Sequence, residues 1–336
     1  MNRRPKILLH VSPELRRLFF DNASRRALDE LGEVVQIDSG IARTSAELAR
    51  LVPGVRVLVT AWGCPPLTDE VLDSAGELGL VAHAGGTSKP FVGPKVFRRG
   101  IVVSQATVAT APAVAEMCLT LTLVLLRRVH TYDRMLRSGA AWAAAKQAPL
   151  GLSLSEIRVG VIGIGRIGRE YVRLVRALGS RVAVYDPYLD AEEAASLGVE
   201  RVSLDELLRS CHVVTLHAAP TTETRHMIAR RQLQLMPDGA ILVNTASSWL
   251  VDETALLDEL KSGRISAGLD VFDTEPLPAT SPFRVMPNVV LTPHEAGSTR
   301  QARRAQGRIL VEEIRRFLGG KPLEYAITTE QSPNVA

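Results

Sequence analysis

Val159-Gly160-Val161-Ile162-Gly163-Ile164-Gly165-Arg166-Ile167-Gly168 is the stretch on which the fold turns. A short apolar run ends in a G-x-G-x-x-G pattern that leads directly into helical periodicity. The three glycines have separate tasks. Gly163 permits a tight turn, Gly165 lets the backbone approach a pyrophosphate, and Gly168 allows close helix–strand packing. The N-terminus of the following helix, opened by Arg166 and Ile167, turns N–H groups and a positive dipole end toward the phosphates. Arg166 adds a cation there. The next apolar run, Arg181–Tyr185, ends in Asp186. An acid at roughly 20 residues' spacing accepts hydrogen bonds from the adenosine ribose hydroxyls and repels a 2′-phosphate. The pattern predicts a dinucleotide site that prefers NAD to NADP.

The alternation continues on both sides of this stretch. Downstream, strands are predicted at Val213–Leu216, Ala240–Asn244, Ile265–Leu269 and Val289–Leu291, with helices near Gly168–Leu178, Ser203–Ser210, Ala229–Leu235 and Asp252–Lys261. Upstream, Lys6–His10, Val34–Ile37, Val55–Thr60, Leu80–Ala82 and Ile101–Val103 are short strand candidates. Helical patterns at Ser24–Leu31, Ala46–Leu51 (with Ser45 as its cap) and Val71–Ala75 separate them. Such alternation implies βαβ units and parallel sheets. The fold class is therefore α/β, a Rossmann-type doubly wound sheet with a second, smaller α/β domain. Ala113–Ser138 reads as one long helix whose apolar part, Ala113–Leu126, is broken by Glu116 and falls short of the ~20 residues that span a bilayer. Ala140–Ser155 reads as a connection, Arg300–Leu318 as a cationic amphipathic helix, and the polar tail around Pro333 as disordered.

Composition narrows the function. The chain has 336 residues, 46% apolar and 23% charged, the make-up of a globular protein of about two domains. Lys plus Arg is 40 against 36 for Asp plus Glu, a net charge of +4, and the charges are spread rather than massed. Aromatics are only 4%, which argues against a base-stacking surface and a nucleic-acid partner. Cys64, Cys118 and Cys211 are far apart and lack metal-ligand spacing, so neither zinc nor a disulfide framework is expected. The apolar run Ile7–Leu9 is too short for a signal segment. The expectation is a cytoplasmic protein with no membrane partner.

A run of further motifs resembles the D-isomer-specific 2-hydroxyacid dehydrogenases, in particular their phosphoglycerate-dehydrogenase-like branch. These are Asp186-Pro187-Tyr188, Leu204-Asp205-Glu206-Leu207-Leu208, Met236-Pro237-Asp238-Gly239-Ala240, Leu250-Val251-Asp252-Glu253, Leu269-Asp270-Val271-Phe272, Glu275-Pro276-Leu277-Pro278 and Leu291-Thr292-Pro293-His294. The resemblance implies an NAD-binding domain over 109–299 and a flavodoxin-like substrate domain over 1–108 and 300–336, with the active site between them. It implies a homodimer through the cofactor domain, to which Ala113–Leu126 with Arg127 and Arg128 could contribute. Reducing a 2-oxo acid requires a hydride on carbon and a proton on oxygen. His294 matches the family's general acid, and imidazole exchanges protons near neutral pH. Glu275 matches its carboxylate partner, which orients the ring. Asp270 matches the residue near the nicotinamide carboxamide. Thr245 and Ala246 match contacts to the nicotinamide ribose. His217, Ala218, Ala219 and Pro220, with Thr224, match the loop along the adenosine side.

The resemblance breaks at the substrate. The family's carboxylate-binding arginine lies in N-T-A-R-G-x-L-V-D-E, and this chain reads Asn244-Thr245-Ala246-Ser247-Ser248-Trp249-Leu250-Val251-Asp252-Glu253. Both flanks are in register, so Ser247 holds the arginine position, and serine lacks the planar fork that grips a carboxylate. A glycine-rich loop that often ends in an acid reads Ala84-Gly85-Gly86-Thr87-Ser88-Lys89 here. Gly85 and Gly86 are expected to line the substrate site, and Lys89 offers a replacement cation. Two readings follow. One is an NAD(H)-dependent oxidoreductase with an atypical 2-oxo/2-hydroxy acid or related carbonyl substrate. The other is a catalytically silent NAD-binding protein that senses cofactor or binds a partner.

Overall fold

Two parallel sheets organise the chain, and the computed structural model describes residues 4–37 and 42–327. In chain order the strands are β1 (Lys6–His10), β2 (Glu33–Gln36), β3 (Val55–Thr60), β4 (Leu80–His83), β5 (Val102–Gln105), β6 (Arg158–Ile162), β7 (Arg181–Tyr185), β8 (Glu200–Arg201), β9 (Val213–Leu216), β10 (Ile241–Asn244), β11 (Ser266–Leu269), β12 (Val289–Leu291) and β13 (Ala326–Ile327). They belong to two units, Met1–Thr110 with Ser298–Ala336, and Ala111–Gly297.

The first unit has strand order β13-β5-β4-β3-β1-β2. Without the antiparallel edge strand β13, this is the flavodoxin-like order 2-1-3-4-5. Its strands are covered on both faces, as parallel sheets require. Leu8, Leu58, Val81 and Val103 pack toward the helices Ser45–Leu51 and Asp69–Ser74. The alternate residues Ile7, Leu9, Val57, Val59, Leu80 and Ala82 meet Phe19, Leu28, Leu310 and Ile314. The helix Arg300–Leu318 comes so close that a Cβ at Gly307 would be driven into the Phe19 carbonyl. Glu313 on that helix is buried, and its carboxylate accepts from the Ser104 hydroxyl (2.7 Å) and the backbone N–H groups of Glu324 and Tyr325 (3.0 Å each). Those bonds bring β13 back onto β5.

The second unit has order β12-β11-β10-β9-β6-β7-β8, a Rossmann sheet with one added strand. Val159, Val161, Val182, Val184, Val213 and Val243 pack with Cys118, Leu121, Tyr171 and Val175. On the other face Ile162, Val214, Leu216 and Leu242 pack with Leu207, Leu233 and Leu256. Helix starts follow capping chemistry: Asp190, Ser203 and Asp252 accept from the third residue on, at 2.7, 3.3 and 3.0 Å.

Several sequence expectations are corrected. The long helix is two, Ala111–Leu126 and Val129–Arg137, because Arg128 adopts φ +54° and turns the chain. The 140–155 connection contains the helix Trp142–Lys146. The cap of Ser45–Leu51 is Thr44, because Glu47 closes a reciprocal capping box with it. The tail around Pro333 lies outside the described residues.

His83, at the end of β4, is buried beside Phe91, with Nδ1 2.9 Å from the Thr60 hydroxyl oxygen. Burial pushes its pKa from 6.5 down to about 4, so the ring is neutral in the folded unit near pH 7. Between those pH values the unfolded chain binds a proton that the folded unit refuses, and stability falls as pH is lowered through the window. His10 acts in the same direction. His83→Asn is expected to flatten the pH dependence of urea unfolding between pH 6.5 and 4 by up to about 1.4 kcal/mol per pH unit. An unchanged slope would show that the folded unit tolerates a charged ring.

Candidate functional site

The carboxyl ends of β6 and β9 form the switch point of the second unit, where doubly wound sheets bind ligands. Gly163 leaves β6 at φ +93°, and a Cβ there would stand 2.5 Å from the Ala218 N. A Cβ at Gly168 would be driven into the Gly163 carbonyl oxygen. Both are close-packing glycines. Gly165 differs, since no atom lies within 4 Å of its Cβ position. It caps the helix Arg166–Ala177, where Arg166 is exposed and Ile167 half-buried. Open space before a helix N-terminus is what a phosphate needs. Asp186, at the end of β7, accepts from the Ile164 N–H (2.8 Å) and the Tyr188 N–H (2.9 Å), so the acid is locked against the glycine turn. These residues fit a dinucleotide.

His217 follows β9 and is buried, with Nε2 3.2 Å from the Thr215 hydroxyl and the ring 5.2 Å from that of Tyr171. Burial pushes its pKa down to about 3, which keeps it neutral. Its Nδ1 has no partner among the described residues, a polar atom left at the edge where a ligand is expected. Ala218 and Pro220 are half-buried on the loop that follows. Thr224 builds that loop, since its hydroxyl donates to the Ala219 carbonyl (2.7 Å) and accepts from the Thr221 N–H (2.8 Å).

The catalytic candidates lie together. His294 Nδ1 is 2.7 Å from Glu275 Oε2, and Glu275 Oε1 accepts from the Phe272 N–H at 3.0 Å. His294 holds φ +56°, uncommon outside glycine though tolerated by histidine. Asp270 explains how. It is fully buried, and its carboxylate accepts from the Glu295 and Ala296 N–H groups (2.9 Å each) and from the Thr292 hydroxyl. The geometry therefore makes Asp270 the clamp of the His294 loop.

Ser247 lies beside this pair. Ala246, Ser247, Ser248, Val271, Phe272, Asp273, Glu275 and His294 line one depression, with no lysine or arginine among them. Ser247 Oγ accepts from the Trp249 N–H at 3.3 Å and caps a short turn. Asn244, at the end of β10, shapes the approach, because its side chain accepts from the Ala246 and Ser247 N–H groups and donates to the Ser247 carbonyl. Thr245 is buried between them. Sequence reading missed Asn244 and also Glu253, which accepts from the Asp273 N–H at 2.9 Å and whose pKa burial raises. Gly85, Gly86 and Lys89 belong to the first unit, on the loop after β4. Among the described residues no group of three His, Cys, Asp or Glu side chains could hold a metal.

The contrast between glycines gives a test. Gly165→Val is expected to leave the thermal midpoint within about 2 °C of wild type and to weaken NADH binding at least a hundredfold. Gly168→Val is expected to lower both, because the turn itself cannot close. Fluorescence titration and differential scanning calorimetry separate the cases, and equal destabilisation by both would refute the distinction.

Residues 119–296 match the family model described as D-isomer specific 2-hydroxyacid dehydrogenase, NAD binding domain. The D-3-phosphoglycerate dehydrogenase of Methanocaldococcus jannaschii is 36% identical over 310 residues, 92% of this chain and 58% of that protein. The hydroxypyruvate reductase of Thermotoga maritima is 37% identical over 278 residues, 81% of this chain and 88% of that protein. Among solved structures, apo D-mandelate dehydrogenase of Rhodotorula graminis aligns with a TM-score of 0.84 at 25% identity, covering 97% of this chain and 98% of that one. The chain spans under three fifths of the length of the phosphoglycerate dehydrogenases it matches. It belongs to the D-isomer specific 2-hydroxyacid dehydrogenase family, on the phosphoglycerate-dehydrogenase-like branch, and carries that family's NAD-binding domain.

Proposed function

We propose that this protein is an NAD(H)-dependent oxidoreductase that interconverts a 2-oxo and a 2-hydroxy acid, or a related carbonyl and alcohol. One observation carries the reading: His294, on a loop clamped by Asp270, lies 2.7 Å from Glu275, in the same unit as the glycine turn. The chemistry that a bound dinucleotide contributes is hydride transfer, and Gly163, Gly165, Gly168 and Asp186 would hold it. His294 supplies the proton. Its Nδ1 is committed to Glu275, which leaves Nε2 to protonate the carbonyl oxygen on reduction and to take the proton back on oxidation. Glu275 fixes the ring and offsets the imidazolium charge. Asp270 acts through the loop rather than on the substrate.

The substrate is atypical on this reading. Asp273 and Glu275 line the depression beside His294, and Ser247 brings no cation. A carboxylate next to the reacting carbon would meet like charge there. The reacting carbonyl therefore has either a neutral neighbour, such as an ester or amide, or an anion held by other residues.

The protein works in the cytoplasm as a homodimer on this reading. Cys64, Cys118 and Cys211 are free thiols. The helix Ala111–Leu126 is largely spent on its own unit's core. Trp142 and Leu150, just beyond it, are 71% and 84% exposed, and a second copy would cover them. Trp142→Asp is expected to give a monomer by light scattering.

Turnover is tested by NADH oxidation against 2-oxo acids and their esters and amides. His294→Asn, which tolerates the positive φ, is expected to lower kcat by about 10²–10⁴-fold at unchanged NADH affinity. The acidic depression favours the second reading, a silent NAD-binding protein. NADH binding without turnover on any member of the panel would establish that reading instead.

A further inference from the structure

A cavity of about 250 Å³ opens at the amino ends of three strands of the second unit. Its walls include Ile241 and Ser266, the first residues of β10 and β11, and Pro287 and Asn288, which lead into β12. The three strands run parallel. Their carboxyl ends carry Asn244, Asp270 and Thr292 of the catalytic end instead. Strands of four, four and three residues, at about 3.3 Å each, put roughly 10 Å or more between the two places. Doubly wound sheets bind their main ligand at the carboxyl ends, so this cavity is a second place.

The lining divides by chemistry. Leu126, Leu152 and Ile241 supply apolar wall, while Arg128, His130, Thr131 and Ser266 supply polar groups. Among the described residues no Asp or Glu lines it, and the Arg128 guanidinium has no hydrogen-bond or ion-pair partner. Burial, with the charges of Arg134 and Arg128, lowers the His130 pKa, so that ring is neutral near pH 7. The cavity thus holds a single cation.

Its walls are fixed before any ligand arrives. Arg128 holds φ +54° between the helices Ala111–Leu126 and Val129–Arg137, a backbone conformation uncommon for a long side chain. The Leu152 N–H donates to the Leu126 carbonyl at 3.0 Å, and a Cβ at Gly151 would stand 2.4 Å from that same oxygen. Arg134 donates to the Met286, Pro287 and Val289 carbonyls at 3.3, 3.1 and 3.0 Å, which ties down the turn before β12. Such pre-formed walls reduce the ordering cost of binding. Leu152 still keeps 45% of its surface exposed, apolar area that an occupant would cover.

We propose that this cavity binds a small monocarboxylate with an apolar body, its anion on Arg128 and its carbon skeleton against Leu126, Leu152 and Ile241. The planar guanidinium fork matches two coplanar carboxylate oxygens, and the Thr131 and Ser266 hydroxyls are further donors. One guanidinium balances one negative charge, which favours a monoanion over a dianion. The volume lies below the ~300–1,000 Å³ of ordinary ligand pockets, so the skeleton is short. The site rests neither on the reaction proposed above nor on the cofactor.

Calorimetric titration of benzoate into the full-length protein, with and without NADH, tests the site. Wild type is expected to bind benzoate in both cases, at least about tenfold more tightly than acetate or benzyl alcohol, each of which lacks half of the match. Arg128→Gly removes the guanidinium at a φ that glycine adopts freely. It is expected to weaken benzoate by about tenfold or more, with NADH affinity and thermal midpoint unchanged. Arg128→Lys is expected to give an intermediate loss, and Trp142→Asp none. The proposal is overturned if wild type binds no benzoate, if Arg128→Gly leaves the affinity intact, or if acetate or benzyl alcohol binds as tightly. Displacement of benzoate by NADH, pyruvate or inorganic phosphate would overturn it too. So would binding confined to Trp142→Asp, because a second copy of the chain would then fill the cavity.

Discussion

A carboxylate with no solvent exposure holds the catalytic candidates in place. An unpaired buried charge costs several kcal/mol, so Asp270 is tolerable only because donors converge on it from one loop, Thr292, Glu295 and Ala296. Hydrogen bonds to a charged group contribute about 1.5–3 kcal/mol each. A non-glycine residue at positive φ costs about 1–3 kcal/mol. Three such bonds outweigh one strained residue, and His294 keeps φ +56°. The strain is useful because it turns the imidazole toward Glu275, whose own second oxygen is fixed by the Phe272 N–H. Position is what this arrangement supplies.

The same economy of close approach shapes the cofactor end. Gly163 and Gly168 pack backbone on backbone, and Asp186 ties the turn to the neighbouring strand. Only Gly165 is left with room. The turn is thus rigid on its protein side and open on its ligand side, the division expected of a pre-formed site. His217 packs beside this turn, and desolvation keeps its ring neutral, so it would offer a ligand polarity without charge.

The glycine turn was legible because its geometry is local. Gly163, Gly165 and Gly168 act within a few residues of one another, and their spacing is their signature. Thr44 was missed although its mark is local: Thr44-x-x-Glu47 satisfies a capping box that Ser45 cannot, its third residue on being Leu48. What was not legible depends on contacts distant in sequence. Glu313 meets Ser104 and the strand that follows it only after both sheets' connections are made. Arg128 in the left-handed region carries no local mark, so one helix was read where two exist. Asp270 was matched to a role near the nicotinamide; that it also clamps the His294 loop through three donors emerges only from the fold. Trp62 and Arg303 lie on opposite ends of the chain, and nothing in either neighbourhood predicts that one covers the other.

Ser247 looks different once its surroundings are counted. Its hydroxyl caps the turn that carries Trp249, and the Trp249 indole donates to the Thr221 carbonyl at 2.8 Å while Arg225 lies 4.9 Å above the ring. The segment is therefore rebuilt as a connected unit, from Asn244 through Trp249 to the loop that begins at His217. An arginine removed from such a place would ordinarily leave slack. Here the Asn244 amide, the Ser247 hydroxyl and the Trp249 indole are each engaged, and the charged side chains Asp273 and Glu275 that line the depression are acids. Carboxylates at Asp273 and Glu275 line the depression and oppose a second anion there. A site with that balance can deliver a proton, but it cannot also hold a substrate's carboxylate. On the proposed reading the depression serves proton transfer, and a substrate anion would have to be held by other residues.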